Sequence, residues 1–203
     1  MWRNLILKNY YLYIVLTRTQ TVVSNLIHII KNDEYTHASI SFDKELDHMY
    51  SFGRKTWNNP FVGRFKKENV NEGLYQYCHT IPAAIIEIEV TKQQYDSAKA
   101  LIDCFISNSD LYKYNYKGLL YSLLNKPLCR EYRFLCSEFV YHILKESSIA
   151  DLDISRNLVR PQNLLEIEGK VIYKGNLKEF KLADNLLRTK QNNNRRFHEI
   201  YEL

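Results

Sequence analysis

The sequence predicts an α+β fold, and three features of the residue pattern support that class. Short apolar runs with the two-residue period of β-strands recur along the chain. Segments with the period of amphipathic helices lie between them and after them. The chain has 203 residues, 45% hydrophobic and 25% charged, which is typical of one globular domain with a sizeable core. We expect a single domain over 1–203, with a core over about 10–175 and a C-terminal extension over 176–203.

The first half of the chain predicts a strand, a helix and a β-hairpin. "YYLYIVL" at 10–16 is continuously apolar and predicts a strand buried on both faces. "THASISF" at 36–42 alternates, with His37, Ser39 and Ser41 on one face, and "MYSFGR" at 49–54 predicts the returning strand. Between the first two strands, a helical stripe is formed by Val22, Val23, Leu26, Ile27 and Ile30.

Residues 55–80 contain many helix and strand breakers, including Trp57-Asn-Asn-Pro60, Gly63 and Gly73. Long segments of this kind often serve as lids or binding loops, so the sequence predicts an irregular excursion here.

The second half begins with a clear strand, "AAIIEIEV" at 83–90, which leads directly into a helix. Thr91 and Gln94 have the spacing of a capping box at the start of that helix. The tyrosine-rich segment 111–124 fits either a helical hairpin or a loop ending in a helix. "KVIYK" at 170–174 predicts a further strand.

Cys136 heads the amphipathic segment "RFLCSEFVYHIL" at 133–144. It lies on one helix face with Phe139, Val140, Ile143 and Leu144, and a free cysteine in such a stripe is often only a core residue. The other interpretation is a nucleophile. At a helix start, unpaired N–H groups and the positive end of the dipole favour a thiolate and can bind an oxyanion.

Charge and cysteine usage exclude several classes of function. The net charge of +5 is mild, and the densest basic runs, at 64–68 and 192–197, predict solvated surface rather than a nucleic-acid site. The four cysteines have no metal-ligand spacing, so we expect free thiols, no metal and no cofactor. No apolar run has the length of a membrane span or the pattern of a signal peptide, which predicts a cytoplasmic protein.

His37 is the only histidine that opens a half-polar strand, where the scaffold could fix an imidazole as a general base. A structural histidine bonded to a backbone group fits the same position equally well. The residues alone leave both interpretations open.

The segments "YTHASISFD", "MYSFGRK" and, about 100 residues later, "FLCSEFVYHIL" resemble the circularly permuted NlpC/P60 cysteine hydrolases of the papain-like superfamily. In that branch, which includes the YiiX-like and lecithin:retinol acyltransferase-like groups, the histidine strand precedes the cysteine helix. The resemblance implies an antiparallel sheet or small barrel packed against helices, with the nucleophile at a helix N-terminus. It also implies that Cys136 is the nucleophile, that His37 is the general base and that a polar residue on the next strand orients His37. Ser51 is the candidate for that third role.

Three functions follow as hypotheses. The first is a cysteine hydrolase or acyltransferase that cleaves an amide or ester through a thioester on Cys136, with a peptide, a peptidoglycan fragment or an acyl lipid as substrate. The second is a catalytically degenerate binding module with the same fold. The third is association with a membrane surface, suggested by the basic charge and the 16 tyrosines.

Overall fold

The computed structural model describes residues 9–19, 28–29, 31–54, 63–186 and 188. Its main feature is a six-stranded sheet in which every neighbouring pair is antiparallel. Its strands are β1 (Tyr10–Thr17), β2 (His37–Ser41), β3 (Met49–Arg54), β4 (Gly63–Glu68), β5 (Pro82–Val90) and β8 (Lys170–Asn176). Across the sheet they lie in the order β4-β3-β2-β1-β5-β8. Two short parallel strands, β6 (Lys113–Tyr114) and β7 (Arg133–Phe134), form a separate ladder.

The helices are short or of medium length. They are α1 (Gly73–Gln76), α2 (Lys92–Ser107), α3 (Tyr116–Leu123) and α4 (Cys136–Glu146), followed by 3₁₀ turns at Arg156–Leu158 and Pro161–Glu166 and a helical stretch over 177–186. Thr91 caps α2 and forms the predicted capping box with Gln94. Cys136 is the first residue of α4, as the periodicity predicts.

The sheet separates two apolar layers because alternate residues of each strand point to opposite faces. One face of β1, with Leu12, Ile14 and Leu16, packs with α2 and α4 in the larger core. The other face contributes Tyr13 and Val15 to a smaller core that is completed by residues of the segment after β4 and of the C-terminal helical stretch, among them Val70, Tyr75 and Leu177. The start of β2 lies beside α4, and this neighbourhood brings His37 and Cys136 together.

Much of the predicted element order is confirmed. The antiparallel α+β architecture, the strands near 10–16, 36–42, 49–54, 83–90 and 170–174, and the helix that begins at Cys136 are all present. The segment 111–124 is a loop ending in a helix rather than a helical hairpin. The helix predicted around 22–30 lies almost entirely outside the described residues.

The prediction for 55–80 is wrong in its central part. Gly63–Glu68 forms a strand that pairs with all six residues of β3, from Met49↔Glu68 to Arg54↔Gly63. Its sequence, "GRFKKE", has one large apolar residue, Phe65, so alternation gave no strand signal. Pairing with an adjacent strand stabilises it instead, and the consequence is that a glutamate is carried into the core.

Candidate active site

Cys136 occupies the first position of α4, directly after Leu135, whose backbone is extended. The residue is 7% exposed, and the rest of its helix face, Phe139, Val140 and Ile143, is fully buried. The core stripe predicted from periodicity is therefore real. The sulfur at its head is also close enough to the His37 imidazole to raise the pKa of that ring, so Cys136 has a polar neighbour that a purely apolar role does not require.

His37 is the first residue of β2 and pairs with Thr17 of β1. Its Nε2 lies 3.1 Å and 3.2 Å from the two carboxylate oxygens of Glu68. Because a ring nitrogen facing a carboxylate carries a proton, Nδ1 is the nitrogen left to exchange a proton with the Cys136 sulfur. The side chain is 17% exposed, so the imidazole is sheltered but not sealed from a substrate.

Glu68 ends β4 and is only 4% exposed. Besides His37, it accepts a 2.6 Å hydrogen bond from the Ser39 hydroxyl and a 3.4 Å bond from the phenol of Tyr75. Lys66 Nζ lies 3.1 Å from its Oε1. These hydrogen-bond donors and the nearby cation offset the free-energy cost of burying the negative charge of Glu68.

Tyr75 extends this network toward β1. Its phenol oxygen lies 3.2 Å from the Thr17 hydroxyl, and its ring stands edge-on to that of His37 at 6.5 Å. Burial, and then the charge of Glu68, raise the pKa of Tyr75 well above its usual value. Tyr75 therefore remains a protonated donor and cannot release a proton to the site.

Electrostatics hold the imidazole in its charged form. Burial alone lowers the pKa of His37, but the negative charges of Glu68 and then of the Cys136 sulfur outweigh it and raise that pKa to about 10. Burial raises the pKa of Glu68, and the charges of His37 and Lys66 overcome it, so the net shift is downward. The pair is therefore an imidazolium and a carboxylate at neutral pH.

The expectation that Ser51 orients His37 needs correction. The Ser51 hydroxyl donates to the backbone carbonyl of Ala38 at 2.6 Å, within the sheet. The polar side chain at the His37 ring is Glu68, which comes from one strand further out. Ser51 was chosen as the polar residue of the returning strand that would face His37, but the observed register, with Ile40↔Tyr50 and Ser41↔Met49, sets Ser51 level with Ser39 instead.

Sequence reasoning missed Glu68 because the run "RFKKE" at 64–68 predicted solvated surface. Within it, Glu68 is buried and Lys66 is only 25% exposed in its side chain, whereas Arg64 and Lys67 are exposed as expected. The single usable signal was the spacing of Lys66 and Glu68, which places both on one face of a strand. The basic run at 192–197 lies outside the described residues.

A second buried carboxylate, that of Glu138, fixes the start of α4. It accepts hydrogen bonds from the Leu135 backbone N–H at 2.7 Å and from the Asn115 amide at 3.1 Å. Arg156 Nε is 3.8 Å from its Oε1, too long for a hydrogen bond, and the guanidinium lies over the Phe134 ring at 4.3 Å. Glu138 thus closes its own helix end, and within the described residues its hydrogen-bond and ion-pair partners do not include His37.

The backbone around Cys136 is suited to binding a developing oxyanion. N–H groups in the first turn of a helix have no intrahelical acceptor, and Cys136 and Ser137 lie in that turn. The Ser137 hydroxyl donates to the Val159 carbonyl at 2.5 Å, so the serine side chain anchors the turn to the segment after α4. The predicted donor position, the N–H groups beside the nucleophile, is consistent with this geometry.

The other described histidines have different surroundings. His28 Nδ1 lies 2.5 Å from the Asp33 carbonyl, His48 pairs with Asp43 at 2.7 Å, and His142 packs against the Phe134 ring. His79 is exposed. No disulfide joins any of the described cysteines, and of these Cys104 and Cys129 are exposed.

Comparison with known proteins supplies no relative. No family model, no curated protein and no solved structure matches the chain. Within the described ranges, no group of three or more histidine, cysteine, aspartate or glutamate side chains is arranged to hold a metal ion. No helix in the same part of the chain combines the length and the apolar character needed to cross a bilayer.

Proposed function

We propose that the protein is a cysteine-dependent hydrolase or acyltransferase, in which Cys136 is the nucleophile, His37 the general acid and base, and Glu68 the residue that positions His37. The observation that carries the proposal is the placement of the His37 ring, which is hydrogen-bonded to Glu68 and lies close enough to the Cys136 sulfur for that sulfur to raise its pKa. An imidazolium stabilises a neighbouring thiolate, and the helix N-terminus adds to that effect.

In the proposed reaction, the Cys136 thiolate attacks the carbonyl carbon of an amide or ester and forms a C–S bond. The carbonyl oxygen takes up the displaced electron pair and is stabilised by N–H groups in the first turn of α4. Collapse of this intermediate breaks the C–N or C–O bond, and His37 gives its proton to the departing amine or alcohol. A thioester on Cys136 and a neutral imidazole remain.

The second half of the cycle restores the enzyme. Neutral His37 takes a proton from water, or from an acceptor hydroxyl or amine, as that group attacks the thioester. The C–S bond breaks, sulfur leaves as a thiolate, and His37 is again an imidazolium. Water as acceptor gives a hydrolase, and any other acceptor gives an acyltransferase.

Glu68 also bears on the competing function, a binding module that has lost its activity. Such a module is favoured if the residue that positions His37 is Ser51, because serine is a poor partner for a catalytic imidazole. The charged carboxylate of Glu68 beside the ring counts against it. The assignment to the permuted papain-like branch is part of the same proposal, supported by the order of His37 before Cys136 and by the antiparallel sheet.

The proposal is tested with a small activated ester, p-nitrophenyl acetate, because it requires no knowledge of the natural substrate. The wild type should release a burst of p-nitrophenol and gain one acetyl group on the peptide that contains Cys136. Cys136→Ala should lose both signals, whereas the matched variant Cys104→Ala, which removes an exposed thiol, should keep them. Acetylation that maps to Cys104 or Cys129 instead of Cys136 would refute the assignment.

A further inference from the structure

Helix α3 presents an apolar stripe to solvent. Leu120, Tyr121 and Leu124 are 61%, 44% and 67% exposed, and residues three and four apart lie on one side of a helix. Lys117, also exposed, lies one turn earlier on the same side. The opposite side of α3 is buried through Gly118 and Ser122. The helix therefore has a packed face and an open face, and the open face is apolar with a cation at its edge.

The surroundings of this stripe are strongly basic. The segment 111–133 contains one acidic residue, Glu131, and five basic ones, Lys113, Lys117, Lys126, Arg130 and Arg133. Lys31 adds a further cation at the end of α3, where its Nζ donates to the Asn125 side chain at 2.8 Å. Leu111 and Tyr132, in the same segment, are 59% and 49% exposed.

The C-terminal helical stretch provides a contrast within the same chain. It exposes Leu182 and Leu186 to a similar degree, 61% and 57%. Its neighbouring charges are mixed, because Lys181 and Arg188 are paired with Asp47 and Asp184. Exposed leucines therefore occur in both places, but only around α3 do they coincide with an excess of cations within the described residues.

We infer that α3 and its basic flanks, residues 111–133, dock the protein on an anionic lipid bilayer. Aliphatic side chains with lysine and arginine around them match the interface of such a bilayer, where apolar burial and headgroup attraction act together. A single-stranded nucleic acid would be bound through stacking on aromatic rings, and a duplex through its phosphates, whereas the most exposed side chains of this stripe are leucines.

The docking face lies beside the proposed active site. Asn115, the N-cap of α3, donates to Glu138, two residues after Cys136. The N-terminal end of α3 is therefore in contact with the first turn of α4, the helix that begins with Cys136. The docking inference itself rests on exposure and charge and does not depend on the cysteine chemistry.

The test is co-sedimentation with vesicles of phosphatidylglycerol and phosphatidylcholine, compared with vesicles of phosphatidylcholine alone. The wild type should bind the anionic vesicles, and binding should weaken in about 0.5 M salt. Leu120→Gln/Leu124→Gln should bind at least about tenfold more weakly, because two leucines no longer enter the interface. The matched control, Leu182→Gln/Leu186→Gln, should bind like the wild type.

Three results would overturn the inference: absence of vesicle binding, equal binding to neutral and anionic vesicles, or equal loss in both double variants. A dimer in light scattering that Leu120→Gln/Leu124→Gln dissociates, without vesicle binding, would assign the stripe to a second copy of the chain. Iodoacetamide labelling of Cys136 in the same samples reports on the active site separately. Slow labelling in the wild type would count against the proposed function and leave the vesicle result standing.

Discussion

Glu68 and Glu138 are both buried glutamates near the proposed nucleophile, with 4% and 0% exposure, yet their environments act in opposite directions. The pKa of Glu68 is lowered, although burial alone raises it, because His37 and Lys66 outweigh the burial. The pKa of Glu138 is raised by burial, which its hydrogen bonds and the more distant Arg156 do not fully offset.

The difference lies in the partners. Glu68 meets an imidazolium and an ammonium at 3.1 Å each. Glu138 meets a backbone N–H and an amide, both neutral, and a guanidinium at 3.8 Å. The cations around Glu68 keep its carboxylate ionised, and that negative charge can stabilise the imidazolium of His37. The neutral donors around Glu138 instead use its carboxylate to fix the position of the backbone. We therefore expect changes at Glu68 to affect chemistry and changes at Glu138 to affect stability.

The largest effect is expected from His37→Ala, because it removes the group that links Glu68 to the sulfur. Turnover of an activated ester should fall by about 10³- to 10⁴-fold or more. Rapid iodoacetamide labelling of Cys136 near pH 7 should also be lost, while Cys78, Cys104 and Cys129 react as slowly as before. His48→Ala, which removes a surface histidine paired with Asp43, is the control. Labelling rates identical to wild type from about pH 5 to 9 would exclude His37 from the site.

Glu68→Gln and Glu138→Gln give the direct comparison. Glu68→Gln should lower turnover by about 10²- to 10⁴-fold, because a neutral amide neither holds the imidazolium nor fixes its tautomer. Glu138→Gln should leave turnover within a few-fold, because an amide oxygen can still accept from Leu135 and Asn115. Steady-state kinetics and denaturant unfolding of both variants measure the two effects. Equal kinetic losses would mean that Glu138 contributes to the chemistry as much as Glu68 does.

The pH dependence of stability follows from His37. Its pKa is raised to about 10 in the folded protein, so its contribution to stability is complete below the unfolded value of about 6.5 and is lost as pH rises toward 10. In that window the folded state binds more protons, and the free energy of unfolding should fall with pH by, at most, on the order of a few kcal/mol. Urea unfolding of wild type and His37→Asn at several pH values gives the difference. A wild-type slope no steeper than that of His37→Asn would contradict the assignment.

Ser39 and Ser51 provide the smallest and most closely matched test, because both are buried serines on neighbouring strands. The Ser39 hydroxyl donates to Glu68, whereas that of Ser51 donates to the Ala38 carbonyl. Ser39→Ala should lower turnover by about tenfold through the loss of one hydrogen bond to the charged carboxylate. Ser51→Ala should cost about 1 kcal/mol of stability and leave turnover within about twofold of wild type. The opposite ranking in ester kinetics would restore the orienting role to Ser51.

The residues that the sequence identified are those with local signals. The helical period of its own segment places Cys136 at the head of a helix, and alternation places His37 in a half-polar strand, whereas the resemblance implied their catalytic roles. The strand β5 and the capping box at Thr91 are equally local, and both are confirmed. A period of 2 or 3.6 residues depends on neighbours in sequence, so it can be recognised before the fold is known.

Glu68 could not be recognised in this way. It reaches His37 across a separation of 31 residues, and only because β4 joins the sheet beside β3. A glutamate buried by sheet pairing has the same local sequence as one on the surface. The environment of Glu138 was equally hidden, since its partner Asn115 comes from the segment before α3. Cross-strand and cross-helix partners of charged residues therefore needed the structure.

If Glu68 keeps His37 charged beside Cys136, the ¹⁵N chemical shifts of the His37 ring measure that charge directly. In the wild type the ring should stay protonated through neutral pH and lose its proton near pH 10, as its raised pKa requires. In Glu68→Gln the transition should move to lower pH, because the largest stabilising charge is gone. A wild-type ring that titrates near the usual histidine value of about 6.5, unchanged in Glu68→Gln, would contradict the claim.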